Sequence, residues 1–214
     1  FSNVLVLTGH SHTQQHYYHG AADGWHGDRP LHEYNVGANC GAFWSGVKDR
    51  PGVPDSTMSD GTPKGYALLD VAGNGAYRLQ YRVAGAADSE QIGLHAPKVL
   101  RQGAYPAWGV FANVYMGEDA TRVEFRIDGG PWQPMKQVRQ GDPRLLVENV
   151  ADDLAPALRG YDRSPEAAPS PHLWRGALAT DLALGEHKVD VRATQPDGSV
   201  FTASTRYALQ GAQR

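Results

Sequence analysis

The amino-acid sequence predicts a mainly β protein made of two consecutive β units. Three observations point that way. Glycine (25) and proline (14) are frequent. Apolar residues mostly alternate with polar ones, the period of a half-buried strand. The alternating runs are separated by Asn-Gly, Asp-Gly-Gly and Pro-Asp-Gly, whose residues tolerate the positive φ of tight hairpin turns. A length of 214 residues suffices for one large all-β domain or two small ones with a sizeable core.

"VLVL" at Val4–Leu7 is a continuous apolar run, the pattern of a strand buried on both faces, and it leads into Gly9, His10 and His12. "HEYNVGANCG" reads as a second strand ending in glycine. From Trp44 to Gly65, "WSGVKDRPGVPDSTMSDGTPKG" has no period and predicts a long loop, either a solvated excursion or a functional segment. "GYALLDVAGNGAYRLQYRV" predicts a hairpin turning at Asn74-Gly75, with Tyr77, Leu79, Tyr81 and Val83 on one face. "AGAADSEQIG" is small and polar like a linker, which places a domain boundary between residues 1–83 and 84–214.

The second unit has its own rhythm. "AWGVFANVYM" alternates. "TRVEFRIDGGPWQPM" puts Val123, Phe125 and Ile127 on one face and turns at Asp128-Gly129. "HLWRGALAT" reads as a strand, and "HKVDVRATQPDGSVFTASTRYAL" as a hairpin turning at Pro196-Asp197-Gly198. Short strands at this spacing predict a small sandwich of immunoglobulin-like or fibronectin-like type. Within 140–171, "RLLVENVADDLAPAL" is suited to a short helix and "RGYDRSPEAAPSP" to a loop. Trp108, Trp132 and Trp174 read as core residues of the sandwich rather than an exposed glycan-binding trio.

Composition narrows the function classes. A net charge of −3 gives no basic footprint for nucleic acid. The single cysteine, Cys40, excludes an internal disulfide and reads as a buried small hydrophobe with no base beside it. No apolar run approaches the roughly 18 residues of a membrane span. With Phe1 at its start and no initiator Met, the sequence reads either as a processed precursor or as the C-terminal part of a longer polypeptide, and its histidines favour the second.

Six of the nine histidines fall in the first 32 residues: His10, His12, His16, His19, His26 and His32. Such clustering raises the expectation of a metal site. His16, His19 and His26 lie among Tyr and Gly and read as ordinary hairpin or loop residues; His95, His172 and His187 are scattered and read as structural. His10 and His12 differ. Two apart on an extended segment, they would point the same way, side by side at the end of a rigid strand. Spacing alone leaves a metal reading and a core-histidine reading balanced.

"VLVLTGHSHT" resembles the last signature, Gly-His-x-His, of the calcineurin-like metallophosphoesterases. "CGAFWSGVKDRPGVPDSTMSDGTPKGYALLDV" resembles the segment that follows it in a bacterial subgroup, often exported, with an extra C-terminal β domain. "VEFRIDGGPWQPM" and "LGEHKVDVRATQPDG" resemble that added domain. The resemblance implies the C-terminal strands of a metallophosphoesterase β-sandwich over 1–83 and the smaller sandwich over 84–214. It implies that His10 ligates one divalent ion (Mn, Fe or Zn) and His12 a second, and that the full-length enzyme hydrolyses a phosphomonoester or phosphodiester. Lys48, Asp49 and Asp60, in the loop after the signature, are candidates for the substrate side, Lys48 as a point charge for phosphate.

The earlier signatures of that family, Asp-x-His, Gly-Asp-x-x-Asp and Gly-Asn-His, do not occur before Gly9, and Gly-Asn-His occurs nowhere. Two histidines are too few for a tight site. The expectation is a chain that by itself binds metal weakly or not at all and is inactive. Strands 4–7 and 66–83 should then lack their sheet neighbours and pair with the upstream part of the polypeptide, with a second copy or with a rearranged neighbour strand. Two rival readings are a non-enzymatic β module for glycan, protein or cell-envelope material, and a stand-alone metal module using His10, His12 and some of His16, His19 and His26.

Overall fold

The computed structural model describes residues 4–50 and 52–212. Strands β1 (Leu5–Thr8), β2 (Gln15–His19) and β3 (Leu31–Asn35) form a three-stranded sheet in the order β1-β3-β2, with β1 parallel and β2 antiparallel to β3. β4 (Lys48–Arg50) and β5 (Val53–Pro54) make a small ladder inside the long 44–65 segment. β6 (Gly65–Val71) and β7 (Tyr77–Val83) are the hairpin that the sequence predicts. Its turn closes through Ala72 and Ala76, and the Asn74 side chain accepts from the Ala76 N–H.

The second unit is a sandwich. Its strands are β8 (Ile92–His95), β9 (Val99–Arg101), β10 (Gly109–Val114), β11 (Arg122–Ile127), β12 (Gln133–Pro134) and β13 (Lys136–Val138). They are followed by helix α1 (Pro143–Leu154), β14 (Leu173–Ala177), β15 (Gly185–Thr194) and β16 (Val200–Gln210). One sheet has the order β13-β14-β10-β8 and the other β12-β11-β15-β16-β9. The inward residues of both, among them Val110, Ala112, Val114 and Trp174 on one side and Val123, Phe125, Val189, Val191 and Tyr207 on the other, make one buried core. Asp128-Gly129 supplies the two positive-φ residues of the β11–β12 connection (50° and 74°), as its sequence predicts. Helix α1 starts where Asp142 accepts from the Arg144 N–H and Pro143 takes the first position.

Four expectations need correction. β1 is not buried on both faces: Leu5 and Val6 are half-buried and Val4 and Leu7 exposed, and among the described residues β1 is an edge strand paired with β3. The 44–65 loop is not a solvated excursion. Ser56, Met58, Asp60 and Thr62 are buried, and Met58 packs with Tyr81 and Tyr115, closing the seam between the two units. The 84–91 stretch is not a free linker: Ala84 N–H bonds the Lys64 carbonyl, and buried Gln91 donates to the Tyr81 and Asp88 carbonyls. Of the three tryptophans, only Trp174 is core. Trp108 is 61% exposed. Trp132 lies under the guanidinium groups of Arg126 and Arg192, 4.6 and 4.2 Å from its ring centroid.

Candidate metal-ligand turn and its support

β1 ends at Thr8 and the chain turns at once through Gly9–Thr13. His10 and His12 therefore do not lie on an extended segment, and the two-residue parity argument does not apply. His12 has φ 53°, in the left-handed region that histidine tolerates better than most residues. His10 is exposed and His12 half-buried. Asn35, at the end of β3, ties the turn down: its Nδ2 donates to Ser11 Oγ (2.6 Å) and to the Thr13 carbonyl (2.7 Å).

The imidazole of His12 is held from one side. Its Nδ1 lies 2.8 Å from the Gly41 carbonyl oxygen. A carbonyl only accepts, so Nδ1 is the nitrogen that carries a proton, and in the neutral ring Nε2 is the one left with the lone pair. This is the tautomer a metal-binding histidine uses when its other nitrogen is anchored to backbone. Gly41 is required for that anchor. It has φ 54°, and a Cβ there would stand 1.7 Å from the Ser56 carbonyl oxygen. Ser56 Oγ also donates to the Cys40 carbonyl (2.6 Å), which fixes the 40–42 backbone against the long loop. Cys40 is half-buried rather than buried, and its Sγ lies 4.0 Å from His12 Nδ1, so a histidine does stand beside it.

Behind the turn, Gln14 N–H donates to Asp60 Oδ2 at 2.7 Å. Asp60 is 1% exposed, so it faces protein rather than solvent. Burial pushes its carboxyl up. Hydrogen bonds from His172, Gln14 and Thr62 outweigh this and hold it below the usual aspartate range. His172 Nε2 stands 3.2 Å from Asp60 Oδ2. The Asn113 amide donates to the Asp60 carbonyl (2.8 Å) and Asp142 Oδ2 (2.7 Å), which turns its Oδ1 toward His172 Nδ1 at 2.7 Å. Both ring nitrogens of His172 thus face acceptors. Arg144 completes the cluster by donating to the Gly61 carbonyl (2.7 Å) and Asp142 (2.7 Å). Asp60 comes from the long loop, Asn113 from β10, Asp142 and Arg144 from the start of α1, and His172 from the segment before β14. No local pattern announces their meeting.

A second histidine group lies on the same small sheet. His16 Nδ1 is 2.9 Å from His32 Nε2, and His32 Nδ1 is 2.6 Å from the Tyr77 hydroxyl. The rings stack with Tyr34 and Tyr18. Burial, reinforced by His32 and His172, pushes His16 down to about 3. These rings border a cavity of ≈ 860 Å³ between β7 and the β15–β16 turn. His16 is thus a packed, neutral histidine on β2, which pairs antiparallel with β3, so of the hairpin and loop readings the hairpin one describes its place. His19 bonds Glu33 Oε2 at 2.8 Å, and His187 bonds Asp128.

Lys48 is exposed on β4; the Asp49 side chain lies outside the described residues, as does Phe1. Among the described residues, no group of three or more His, Cys, Asp or Glu is arranged to hold a metal ion. No described helix is long and apolar enough to cross a membrane.

Residues 33–201 match the family model described as the C terminal of calcineurin-like phosphoesterase; the turn carrying His10 and His12 precedes the matched stretch. A search of curated proteins finds no match. The match spans most of the sequence and fits the β-rich fold, so the chain belongs to the calcineurin-like phosphoesterase C-terminal family.

Proposed function

We propose that this chain is the C-terminal part of a two-metal phosphoesterase and that His10 and His12 are two of its metal ligands. The observation that carries the reading is the Nδ1–H bond from His12 to the Gly41 carbonyl, which leaves Nε2 free as a donor atom. The donor set fits a fraction of such a centre: two neutral imidazoles suit Mn, Fe or Zn, but a stable site takes more ligands. Residues outside this sequence would complete it. When bound, the two ions would supply Lewis acidity and a nucleophile for attack on phosphorus. This chain's residues orient and support. Asn35 and Gly41 set the turn and the His12 ring, and Asp60 holds the strand that leaves the turn. Lys48, exposed on β4, is a cation this loop can offer to a phosphate.

Two measurements test this. The isolated chain should show no turnover of bis-p-nitrophenyl phosphate with added Mn or Zn, and weak or no heat of binding for either ion. A longer protein carrying this sequence together with the family's earlier signatures should turn the substrate over and lose at least a hundredfold in rate on His12→Ala. Robust turnover by the isolated chain, abolished by His10→Ala, would defeat the reading. The alternative of a glycan-binding sandwich draws on Tyr105 and Trp108, 92% and 61% exposed on the β9–β10 connection. Glycan-array binding lost on Trp108→Ala would favour it.

A further inference from the structure

The residues beside His12 carry a feature that metal binding alone does not use. Phe43 and Trp44 are consecutive, and both lie in the left-handed region (φ 55° and 60°), a conformation unfavourable for bulky L-residues. Their side chains are 75% and 47% exposed, so burial within the described residues does not offset it. The turn is nevertheless firmly held. Trp44 N–H bonds the Cys40 carbonyl (3.1 Å), Ser45 N–H the Ala42 carbonyl (3.0 Å), and Gly46 N–H the Asp162 carbonyl (3.1 Å). Ala42 N–H bonds the Ser56 carbonyl at 3.1 Å, so the turn is fastened at both ends. The Phe43 ring stacks on the His12 imidazole, centroids 4.4 Å apart and planes 25° from parallel. The fold therefore holds two consecutive exposed aromatic side chains, an apolar wall whose first ring, Phe43, stacks on one of the two candidate ligands.

We propose that Phe43 and Trp44 bind the organic group of the phosphoester, and that this group carries a planar aromatic ring, a nucleobase or an aryl ring. The inference rests on the metal-ligand reading of His10 and His12. A ring laid on this wall gains stacking and buries apolar area, while its phosphate remains next to His12. Stacking of a base on an aromatic side chain tolerates differences in ring identity, so the wall selects for planarity and not for one nucleobase. Phe43 also screens one face of the His12 ring from water. It acts on the ligand and on the substrate at once.

The experiment uses the longer protein that carries this sequence and the family's earlier signatures, loaded with Mn. AMP and inorganic phosphate are the probes, read by tryptophan fluorescence and by ligand-observed NMR. AMP should bind at least tenfold more tightly than phosphate and quench Trp44. Trp44→Ala should weaken AMP at least tenfold and phosphate less than twofold, with Trp44→Phe restoring most of the AMP affinity. Turnover should follow, with KM rising for phenyl phosphate and not for methyl phosphate. Equal effects of Trp44→Ala on AMP and phosphate would overturn the proposal. So would a Trp44 already shielded from acrylamide in that protein, which would make the wall an internal packing surface. If Mn itself fails to bind and His12→Ala changes nothing, the metal-ligand reading falls first and this inference with it.

Discussion

The two β units solve the same problem with opposite results. In the C-terminal sandwich, the two sheets cover each other and the core residues from Ile92 to Leu209 are almost wholly withdrawn from water. In the first 83 residues the strands are as apolar, yet Leu7 on β1, Tyr66, Leu68, Leu69 and Val71 on β6, and Tyr77 on β7 are exposed. Two of its buried apolar residues, Met58 and Tyr81, pack against Tyr115 of the second unit. A sheet needs something on its apolar face. The sandwich supplies its own cover, whereas the first unit borrows cover along one seam and leaves the rest open.

That contrast can be broken in graded ways. Trp174→Ala, in the closed core, should cost roughly 3–5 kcal/mol and unfold the sandwich at low urea, read by chemical denaturation. Asp60→Ala removes one partner of the buried pair with His172 and should cost about 3 kcal/mol or more by the same measurement, with both units losing stability together. A loss below about 1 kcal/mol would mean that the seam is not where the two units are joined.

A pH effect of intermediate size should come from the open unit. His16 is pushed down to about 3 by burial and by His32 and His172, so the folded state resists its protonation. A folded value below the unfolded one gives stability that is complete above about pH 6.5 and lost as pH falls toward 3. Between pH 7.5 and 5 the loss should be about 2 kcal/mol, and His16→Gln should flatten it. His32, also lowered by its burial, works in the same direction. His187, raised by its hydrogen bond to Asp128, works against it. An unaltered slope in His16→Gln would remove the buried imidazole as the cause. The smallest effect belongs to Leu69→Lys on the uncovered face of β6, within about 0.5 kcal/mol. Its readout is sedimentation: the wild-type chain should self-associate through this face and the variant less so.

Much of this architecture was legible in the sequence. The hairpins at Asn74-Gly75, Asp128-Gly129 and Pro196-Asp197-Gly198 follow from local turn chemistry, and a short helix from the stretch "RLLVENVADDLAPAL". The candidate site was legible only in its motif. That His12 reverses its backbone depends on Asn35 and Gly41, which are far from it in sequence. That Asp60 is buried depends on Asn113, Asp142 and His172, each from the other unit. Trp108 and Trp174 sit in similar local contexts, but only the second has a facing sheet. Phe43 and Trp44 in the left-handed region break the preference of their own residue type, so no propensity argument finds them.

The Asp60 pair has a consequence for measurement. Gln14, two residues past His12, is bonded to Asp60, and Asp60 to His172 of the sandwich. Anything that tightens the turn at one end of this chain of contacts is felt at the other, and the coupling is reciprocal. A ligand that settles on His10 and His12 should therefore raise the melting temperature of the sandwich. A sandwich loosened by mutation should in turn weaken that ligand, although none of its own residues touches it. The second unit then serves as a remote gauge of whether the first is occupied.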